Sequence, residues 1–204
     1  MNKLLQTFLL FTTCLMLSSC TSILSEVELE SEFPLEKTSD KVIEIAPGVQ
    51  MQLATIWPLK GQGTYLQRIK SSVGQQHHTI MVHITLEPTK LEFIAVNDII
   101  GRLYSLKWTP DQTLWEATDQ IPKTMIPENI IGDFLLVHLD IDQLKANIKG
   151  ATVIERGNER IIQTPHGIVR KITRLNRQGD LWQKARIQNP KIGYELDIET
   201  IPTP

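Results

Sequence analysis

The residue with the clearest chemistry is Cys20, which closes a short apolar block near the N-terminus. Residues 17–20 read Leu-Ser-Ser-Cys, the pattern of a bacterial lipobox. Such a site needs small side chains before the cut and a thiol after it, because the sulfur receives a diacylglycerol. The apolar block follows Lys3 and is far shorter than the roughly 20 residues of a spanning helix. The sequence therefore predicts a lipoprotein signal peptide over residues 1–19 and lipidation of Cys20.

The predicted lipid anchor implies a location. Three acyl chains, palmitate among them, exceed the two signals that stable membrane attachment requires. Thr21 follows Cys20, whereas an Asp at that position retains enterobacterial lipoproteins in the inner membrane. We therefore expect a protein held by its N-terminal acyl chains on the outer membrane and facing the periplasm. An ordinary signal peptide that happens to contain a cysteine is the alternative interpretation.

Charge is distributed unevenly along the chain. The 204 residues include 21 Lys and Arg against 23 Asp and Glu, a net charge of −2. Residues 21–48 hold seven acids against two lysines, so this stretch alone carries −5. The pattern predicts a lipidated cysteine and acidic tether over residues 20–48, followed by a single domain over residues 49–204. The domain is weakly basic, but an exported lipoprotein does not meet nucleic acid, so no such partner is expected.

Other chemically active residues do not form a recognisable centre. His77 and His83 share a face of one predicted strand but lie about 20 Å apart at the usual rise per residue. His77 and His78 sit beside Gly74 and two glutamines, which indicates a polar loop. We therefore expect no metal and no cofactor. The Gly-x-Ser-x-Gly elbow and the phosphate-binding glycine loops are also absent, which predicts a protein that is not an enzyme. A hydrolase of the envelope remains an alternative.

Most of the domain alternates apolar and polar residues, which predicts β-strands. Nine or ten antiparallel strands are expected in meander order. Near the C-terminus, a plausible register sets Asp197 and Glu199 opposite Lys184 and Arg186 on a solvent face. Between Pro127 and Gly150 the period changes to that of helices. There the spacing of Asp140 and Gln143 predicts a capping box for a second short helix.

These elements predict a mainly β fold with a helical insertion. So many consecutive strands should curl into an antiparallel half-barrel, and its concave face needs a cover. A short helical lid at about residues 127–149 can supply that cover. Apolar residues of the concave face and lid are then candidates for binding a hydrophobic ligand, with a filled core as the alternative. The candidates are Trp57, Met81, Phe93, Trp108, Trp115, Ile131, Phe134 and Leu135.

Three stretches of the sequence also resemble a bacterial lipoprotein family. They are the Cys20 lipobox, the helix "IPENIIGDFLLVHLD" and the ending "ARIQNPKIGYELDIETI". With these the chain resembles outer-membrane lipoproteins of undetermined function that are encoded among aryl polyene biosynthesis genes. That group is similar to the outer-membrane lipoprotein receptor LolB and its periplasmic carrier LolA, in which an unclosed barrel with a helical lid encloses an apolar cavity for acyl chains.

The resemblance implies a function and partners. The expected role is to bind acyl chains, a lipid-linked product or lipoproteins, for transfer or insertion at the outer membrane. The expected partners are the membrane, a lipid or lipidated cargo, and a periplasmic carrier protein. The alternative is a non-catalytic interaction module of an envelope export complex, with the same fold and a filled core.

Overall fold

The computed structural model describes residues 36–38, 42–53 and 55–202 of the chain. The predicted signal peptide, Cys20 and most of the predicted tether lie outside the described residues. The described part is mostly β-strand with two helices, and its large antiparallel sheet is curled but not closed. The predicted mainly β fold with a helical insertion is therefore confirmed.

The elements follow one another along the chain without long gaps. The strands are β1 (Glu36–Thr38), β2 (Val42–Ala46), β3 (Val49–Gln52), β4 (Gly63–Val73), β5 (Gln76–Glu87), β6 (Lys90–Asn97), β7 (Gly101–Trp108), β8 (Thr113–Ala117), β9 (Ile148–Lys149), β10 (Thr152–Arg156), β11 (Glu159–Thr164), β12 (Gly167–Gln178), β13 (Leu181–Asn189) and β14 (Tyr194–Pro202). The helices are α1 (Pro127–His138) and α2 (Ile141–Asn147).

The large sheet contains eleven strands in the order β1-β8-β7-β6-β5-β4-β14-β13-β12-β11-β10. The first long strand, β4, pairs with the last, β14, so that Val73 lies opposite Tyr194. This ladder joins the two halves of the chain. The predicted meander is wrong at this point, because the strands that follow the helices do not continue from β8.

Alternation within each strand decides which side chains face the interior. In β6, for example, Leu91, Phe93 and Ala95 are buried and the residues between them are less so. The predicted register near the C-terminus is confirmed, because Lys184 lies opposite Glu199 and Arg186 opposite Asp197. The opposite face of these strands therefore carries charge.

A second, smaller sheet has the order β2-β3-β9, and its strand β2 packs against α1. β9 directly follows α2, and Met51 of β3 pairs with Ile148 of β9. We call β2, β3, α1, α2 and β9 together the cover. Ile43 and Ile45 of β2 are buried in the core, so the folded domain includes Val42–Ala46, which the charge pattern assigns to the tether.

Helix α1 is an inner layer rather than a surface lid. On one side its Phe134 ring contacts Phe93 of the large sheet, with 5.5 Å between ring centroids. On another side, a Cβ at Gly132 would lie 3.5 Å from the Ile43 side chain of β2. Leu136 and Val137 are buried as well, and a helix that is apolar nearly all round is one that is covered. The predicted lid is thus confirmed in position but lies beneath β2.

The helix ends differ from the expected pattern in one place. Pro127 occupies the first turn of α1, where its missing N–H is harmless. Asp140 precedes α2, but it makes no side-chain capping hydrogen bond among the described residues, so the predicted capping box does not form. Its carboxylate instead pairs with the Lys60 ammonium group. In the described part of the chain, neither helix is long and apolar enough to cross a bilayer.

Candidate functional site

Most of the predicted ligand-binding residues meet between the large sheet and the cover. Six are buried there, namely Phe93, Trp108, Trp115, Ile131, Phe134 and Leu135. Trp57 is half-buried and packs against the same cluster. Cross-strand pairing explains the alignment, because Phe93 and Trp115 both lie opposite Leu106 of β7. The concave face of the sheet thus presents these side chains to α1.

Met81 does not join this group. Its neighbours Val82 and Ile80 in β5 face the interior, and side chains alternate along a strand. Met81 therefore lies on the outer face, opposite Arg68 of β4 and Val96 of β6. A binding role for Met81 in the apolar interior is excluded by this register.

Aromatic contacts hold the interior together at three levels. Trp57 packs on Trp108 with 4.4 Å between ring centroids. Tyr104 and Trp115 pack at 5.1 Å. Phe134 of α1 meets Phe93 edge-on, the arrangement that aromatic quadrupoles favour. Contacts of this kind fill the space that a ligand would otherwise occupy.

A small pocket remains at the C-terminal end of α1. Its volume is about 30 Å³. Ligand pockets are usually about 300–1,000 Å³, so this space is roughly a tenth of the smallest of them. Its lining is divided by chemistry: Leu59, Leu86, Phe134, Leu135, Leu139 and Leu181 are apolar, whereas Lys60, His138, Asp140, Gln143, Arg177 and Asp180 are polar. An apolar wall beside a group of charges has the chemistry to bind an amphiphile, but the volume is too small to hold one.

Next to this pocket, two arginines bind the C-terminal end of α1. Arg160 donates to the carbonyl oxygens of Leu136 and Leu139, at 2.7 and 2.8 Å. Arg174 donates to the carbonyl oxygen of Val137 at 3.4 Å. The carboxylate of Glu155 lies 2.8 Å from both guanidinium groups. We call Glu155, Arg160 and Arg174 the arginine cluster.

The arginine cluster is charged although its two arginines are buried. Burial, and then the nearby Arg174, lower the pKa of Arg160 to about 10, so it remains protonated at neutral pH. Burial raises the pKa of Glu155, but the hydrogen bonds and charges of the two arginines outweigh it, and the pKa is lowered overall. Because the last carbonyls of a helix carry partial negative charge, two cations at this end stabilise α1 in place.

His138, the last residue of α1, is part of the same environment. Its Nδ1 accepts a hydrogen bond from the backbone N–H of Trp182 at 3.2 Å. Burial, followed by the charges of Arg174, Arg160 and Arg177, lowers the pKa of His138 to about 3. The imidazole is therefore neutral at physiological pH, as an acceptor at Nδ1 requires.

Asp133 makes a different contact in the middle of α1. It accepts a hydrogen bond from the Tyr194 hydroxyl at 3.2 Å. Burial raises the pKa of Asp133 to about 6, and the charge of Arg170 and the Tyr194 hydrogen bond only partly oppose this. Arg170 is itself directed elsewhere, because it donates to the carbonyl oxygen of Ile45 at 2.8 Å. The carboxylate thus remains poorly compensated.

The outer face of strands β4, β14, β13 and β12 carries a larger open groove of about 490 Å³. Its charged lining consists of Arg68, Lys70, Lys171, Lys184, Arg186, Asp197 and Glu199. Many of these charges pair across strands, for example Arg186 Nε with Asp197 Oδ1 at 2.7 Å. This is the solvent face that the sequence predicts, and its charges do not suit an acyl chain.

The histidines do not assemble a metal site. His77 and His78 lie in β5 and are exposed, so the polar loop predicted for them is wrong. Among the described residues, no group of three metal-ligating side chains comes together. The arginine cluster, by contrast, is not predicted by the sequence analysis. Its three members come from β10, β11 and β12, and only the hairpin register brings them together.

The architecture defines a class of protein. It is an antiparallel half-barrel whose first and last described strands do not pair, and its concave face is covered by helices and a small sheet. The chain belongs to the family DUF3261, a protein family of unknown function, whose model matches residues 64–202. No curated protein matches the chain. Among solved structures it is similar to a LolA superfamily protein from Nitrosomonas europaea, with 6% identity, a TM-score of 0.42, and coverage of 72% of this chain and 87% of that one.

A second solved structure has a comparable likeness. It is a DUF1329 family protein from Desulfovibrio piger, with 8% identity and a TM-score of 0.42, and the match covers 70% of this chain and 85% of that one. At such TM-scores the similarity carries no argument about function. The functional argument therefore rests on the contacts within the chain itself.

Proposed function

We propose that this protein is a lipoprotein of the outer membrane that accepts an acyl chain between the large sheet and the cover. The cargo would be a lipid, a lipid-linked product such as an aryl polyene lipid, or a lipoprotein, passed on or inserted at the outer membrane. The protein would act by binding and without catalysis. Its anchor would be the acylated Cys20.

One observation carries this proposal: among the described strands, no ladder of backbone hydrogen bonds joins the small sheet to the large one. β2, β3 and β9 pair with one another, and the cover meets the large sheet through side chains. Much of this interface is apolar, as in the contact of Phe134 with Phe93. The two layers can therefore separate without breaking a sheet, and an acyl chain can replace apolar contacts of the same kind.

Separation is required because the interior is filled. A chain of many methylenes needs a cavity roughly ten times larger than the 30 Å³ pocket beside Phe134. The pocket marks where the end of the acyl tail would lie. Leu135 and Leu181 supply its apolar wall.

Native mass spectrometry with lipid extraction tests the proposal. The protein is produced in the periplasm of a host that makes the candidate lipid, and we expect about one bound amphiphile per protein. Phe134→Asp should abolish loading, because the carboxylate would be buried in the path of the chain. Met81→Asp is the matched control, since Met81 lies on the outer face, and it should load normally.

A protein that unfolds would give the same negative result, so circular dichroism accompanies each variant. If Phe134→Asp does not fold, Phe134→Trp keeps the site apolar but fills it, and it should fold and load poorly. Normal loading by a folded Phe134 variant would contradict the proposal.

The filled interior also favours a second function. If the cover never separates, the protein is a non-catalytic module that offers a surface to an envelope export complex. This alternative expects a clean apo mass that does not change after incubation with lipids, together with a defined protein partner in cross-linking experiments.

A further inference from the structure

Apolar residues exposed to solvent are concentrated where one set of strand ends of the large sheet comes together, and we call this end of the strands an edge of the sheet. Ten large apolar side chains are exposed among those described, and seven of them lie along this edge, five in turns or strand ends and two in the segment before α1. We call these seven the apolar rim: Val73, Ile99, Ile100, Met125, Ile126, Ile168 and Ile192.

Strand directions place them there. Val73 ends β4 and pairs with Tyr194, the first residue of β14, so the turn that carries Ile192 lies beside it. The β6–β7 turn with Ile99 and the start of β12 with Ile168 lie at the same edge, because neighbouring strands are antiparallel. Met125 and Ile126 precede α1, which runs from Tyr194 toward the first residues of β13.

In two turns of the rim, the backbone at or beside an exposed isoleucine is bonded to a preceding asparagine. In the β6–β7 turn, Asn97 Oδ1 accepts the N–H groups of Ile99 and Ile100 at 3.0 and 3.3 Å. In the β13–β14 turn, Asn189 Oδ1 accepts the N–H of Lys191, and the Ile192 N–H donates to the Asn189 carbonyl oxygen. Ile99 is 94% exposed and Ile192 is 65% exposed.

These isoleucines break the local rule for turns. Gly, Asn, Asp, Pro and Ser are favoured in turns, and β-branched residues are not. An isoleucine that is exposed in a turn buries little apolar surface and therefore adds little to the stability of the fold. Residues that conflict with the local preference in this way are expected at functional positions.

The path of the chain points to the same edge. β1 pairs antiparallel with β8, with Glu36 opposite Trp115 and Thr38 opposite Thr113, so β1 runs away from the rim. β1 therefore begins on the side of the rim. Glu36 is sixteen residues after Cys20, a distance of about 55 Å at full extension. An anchor at Cys20 can thus bring the rim against the bilayer that holds it.

We propose that the apolar rim is a membrane-contacting surface, with Ile99 and Ile192 inserted at the level of the lipid acyl chains. The orientation rests on the proposed anchoring at Cys20, whereas the surface itself does not. Lys191 beside Ile192 would then lie near the lipid phosphates. The start of α1 faces the same bilayer, so the cover would separate toward the lipid.

The test uses the acylated chain in vesicles of phosphatidylethanolamine and phosphatidylglycerol. In the proposed acylated form, Cys14 has left with the signal peptide and the Cys20 sulfur carries the lipid, so an introduced cysteine is the single thiol. Ile99→Cys and Ile192→Cys are labelled with an environment-sensitive fluorophore and read by quenching from spin-labelled lipids. Matched controls are Leu175→Cys on the outer face and Ile201→Cys near the opposite edge, which are 46% and 50% exposed.

We expect labels at positions 99 and 192 to be quenched at least about twofold more than the controls. Equal quenching at all four positions overturns the proposal. So does shielding of positions 99 and 192 only after an envelope protein extract is added, because that outcome identifies a protein partner.

Mass spectrometry of Cys20 separates failure of the anchor from failure of the rim. If Cys20 is not acylated, the same chain is added to vesicles from solution, and Ile99→Ser with Ile192→Ser should weaken its partitioning about a hundredfold. No change on this double substitution overturns the rim. Lipid loading, which tests the proposed function, is measured independently of both results.

Discussion

The two ends of helix α1 are held to the large sheet in contrasting ways. At the C-terminal end, Arg160 donates two hydrogen bonds to carbonyl oxygens of the helix, and His138 of the helix accepts one from the Trp182 N–H of the sheet. In the middle of the helix, Asp133 accepts one hydrogen bond of 3.2 Å from the Tyr194 hydroxyl. Ile126 at the N-cap position carries no polar atom that could cap the first N–H groups.

This difference indicates where the cover would open. Separation that begins at the apolar rim would break the hydrogen bond of Tyr194 with Asp133 and that of Arg170 with the Ile45 carbonyl oxygen, and it would expose the poorly compensated Asp133 carboxylate to water. Separation at the other end would expose two guanidinium groups and strip the last carbonyls of α1 of their donors. The C-terminal end is therefore the hinge side, and the rim end is the side from which an acyl chain would enter.

The strongest test of the comparison removes the arginine cluster. Arg160→Ala leaves the carbonyls of Leu136 and Leu139 unpaired and Glu155 with one cation fewer, which should cost about 3–5 kcal/mol of unfolding free energy. Denaturant unfolding measures this loss. Arg177→Ala is the matched control, because Arg177 is exposed, and its effect should stay within about 0.5 kcal/mol. Equal effects of the two substitutions would refute a special role for the cluster.

A second test uses pH to separate the two ends. The folded-state pKa of Asp133, about 6, lies above its unfolded value, so its effect on stability becomes unfavourable as pH rises from about 4 to 6. Asp133→Asn removes that dependence and should gain up to about 2 kcal/mol over the wild type at pH 7.5. The gain should disappear near pH 4. A gain that does not depend on pH would contradict the assignment.

His138 should show the opposite sign. Its pKa is lowered to about 3 in the folded protein, so its contribution is lost as pH falls from about 6.5 toward 3. His138→Gln removes that dependence, so its free energy of unfolding should fall less than that of the wild type between about pH 6.5 and 3. Acid unfolding curves of His138→Gln and Asp133→Asn, measured side by side, separate the two contributions.

A milder change strengthens the loose end. Ile126→Ser supplies a capping oxygen at a residue whose φ of −100° and ψ of 152° already suit an N-cap. Thermal unfolding should show a gain of about 1 kcal/mol, with slower lipid uptake if the cover opens at this end. A stabilised variant that loads at the normal rate would move the opening elsewhere.

The smallest effect is expected on the outer face. Arg186→Ala breaks the exposed pair with Asp197, and such pairs contribute at most about 1 kcal/mol. Urea unfolding at low and high salt checks this, and the difference from the wild type should shrink as salt rises. A loss comparable to that of Arg160→Ala would mean that the groove has a structural role.

Local pattern predicted the strands of the last hairpin and the position of α1, but it failed for the capping box at Asp140 and for the polar loop at His77 and His78. Alternation predicted the register of β13 against β14, since charges opposite one another must match once one face is buried. It did not place Met81, whose apolar character suggested the interior although its position in β5 points outward. Residues 42–46 were missed as a strand because their acidic surroundings resemble a tether, and Ile43 and Ile45 become buried only when α1 lies over the large sheet.

The sequence by itself determined the lipobox prediction, the β-rich composition, the position of α1 and the charged face of the last strands, because each depends on residues close together in the chain. Tertiary structure alone decided that β4 pairs with β14, that Glu155, Arg160 and Arg174 meet at the end of α1, and that seven exposed apolar residues share one edge. Those features depend on contacts between segments far apart in sequence, and the pairing of distant strands leaves no local periodicity to read.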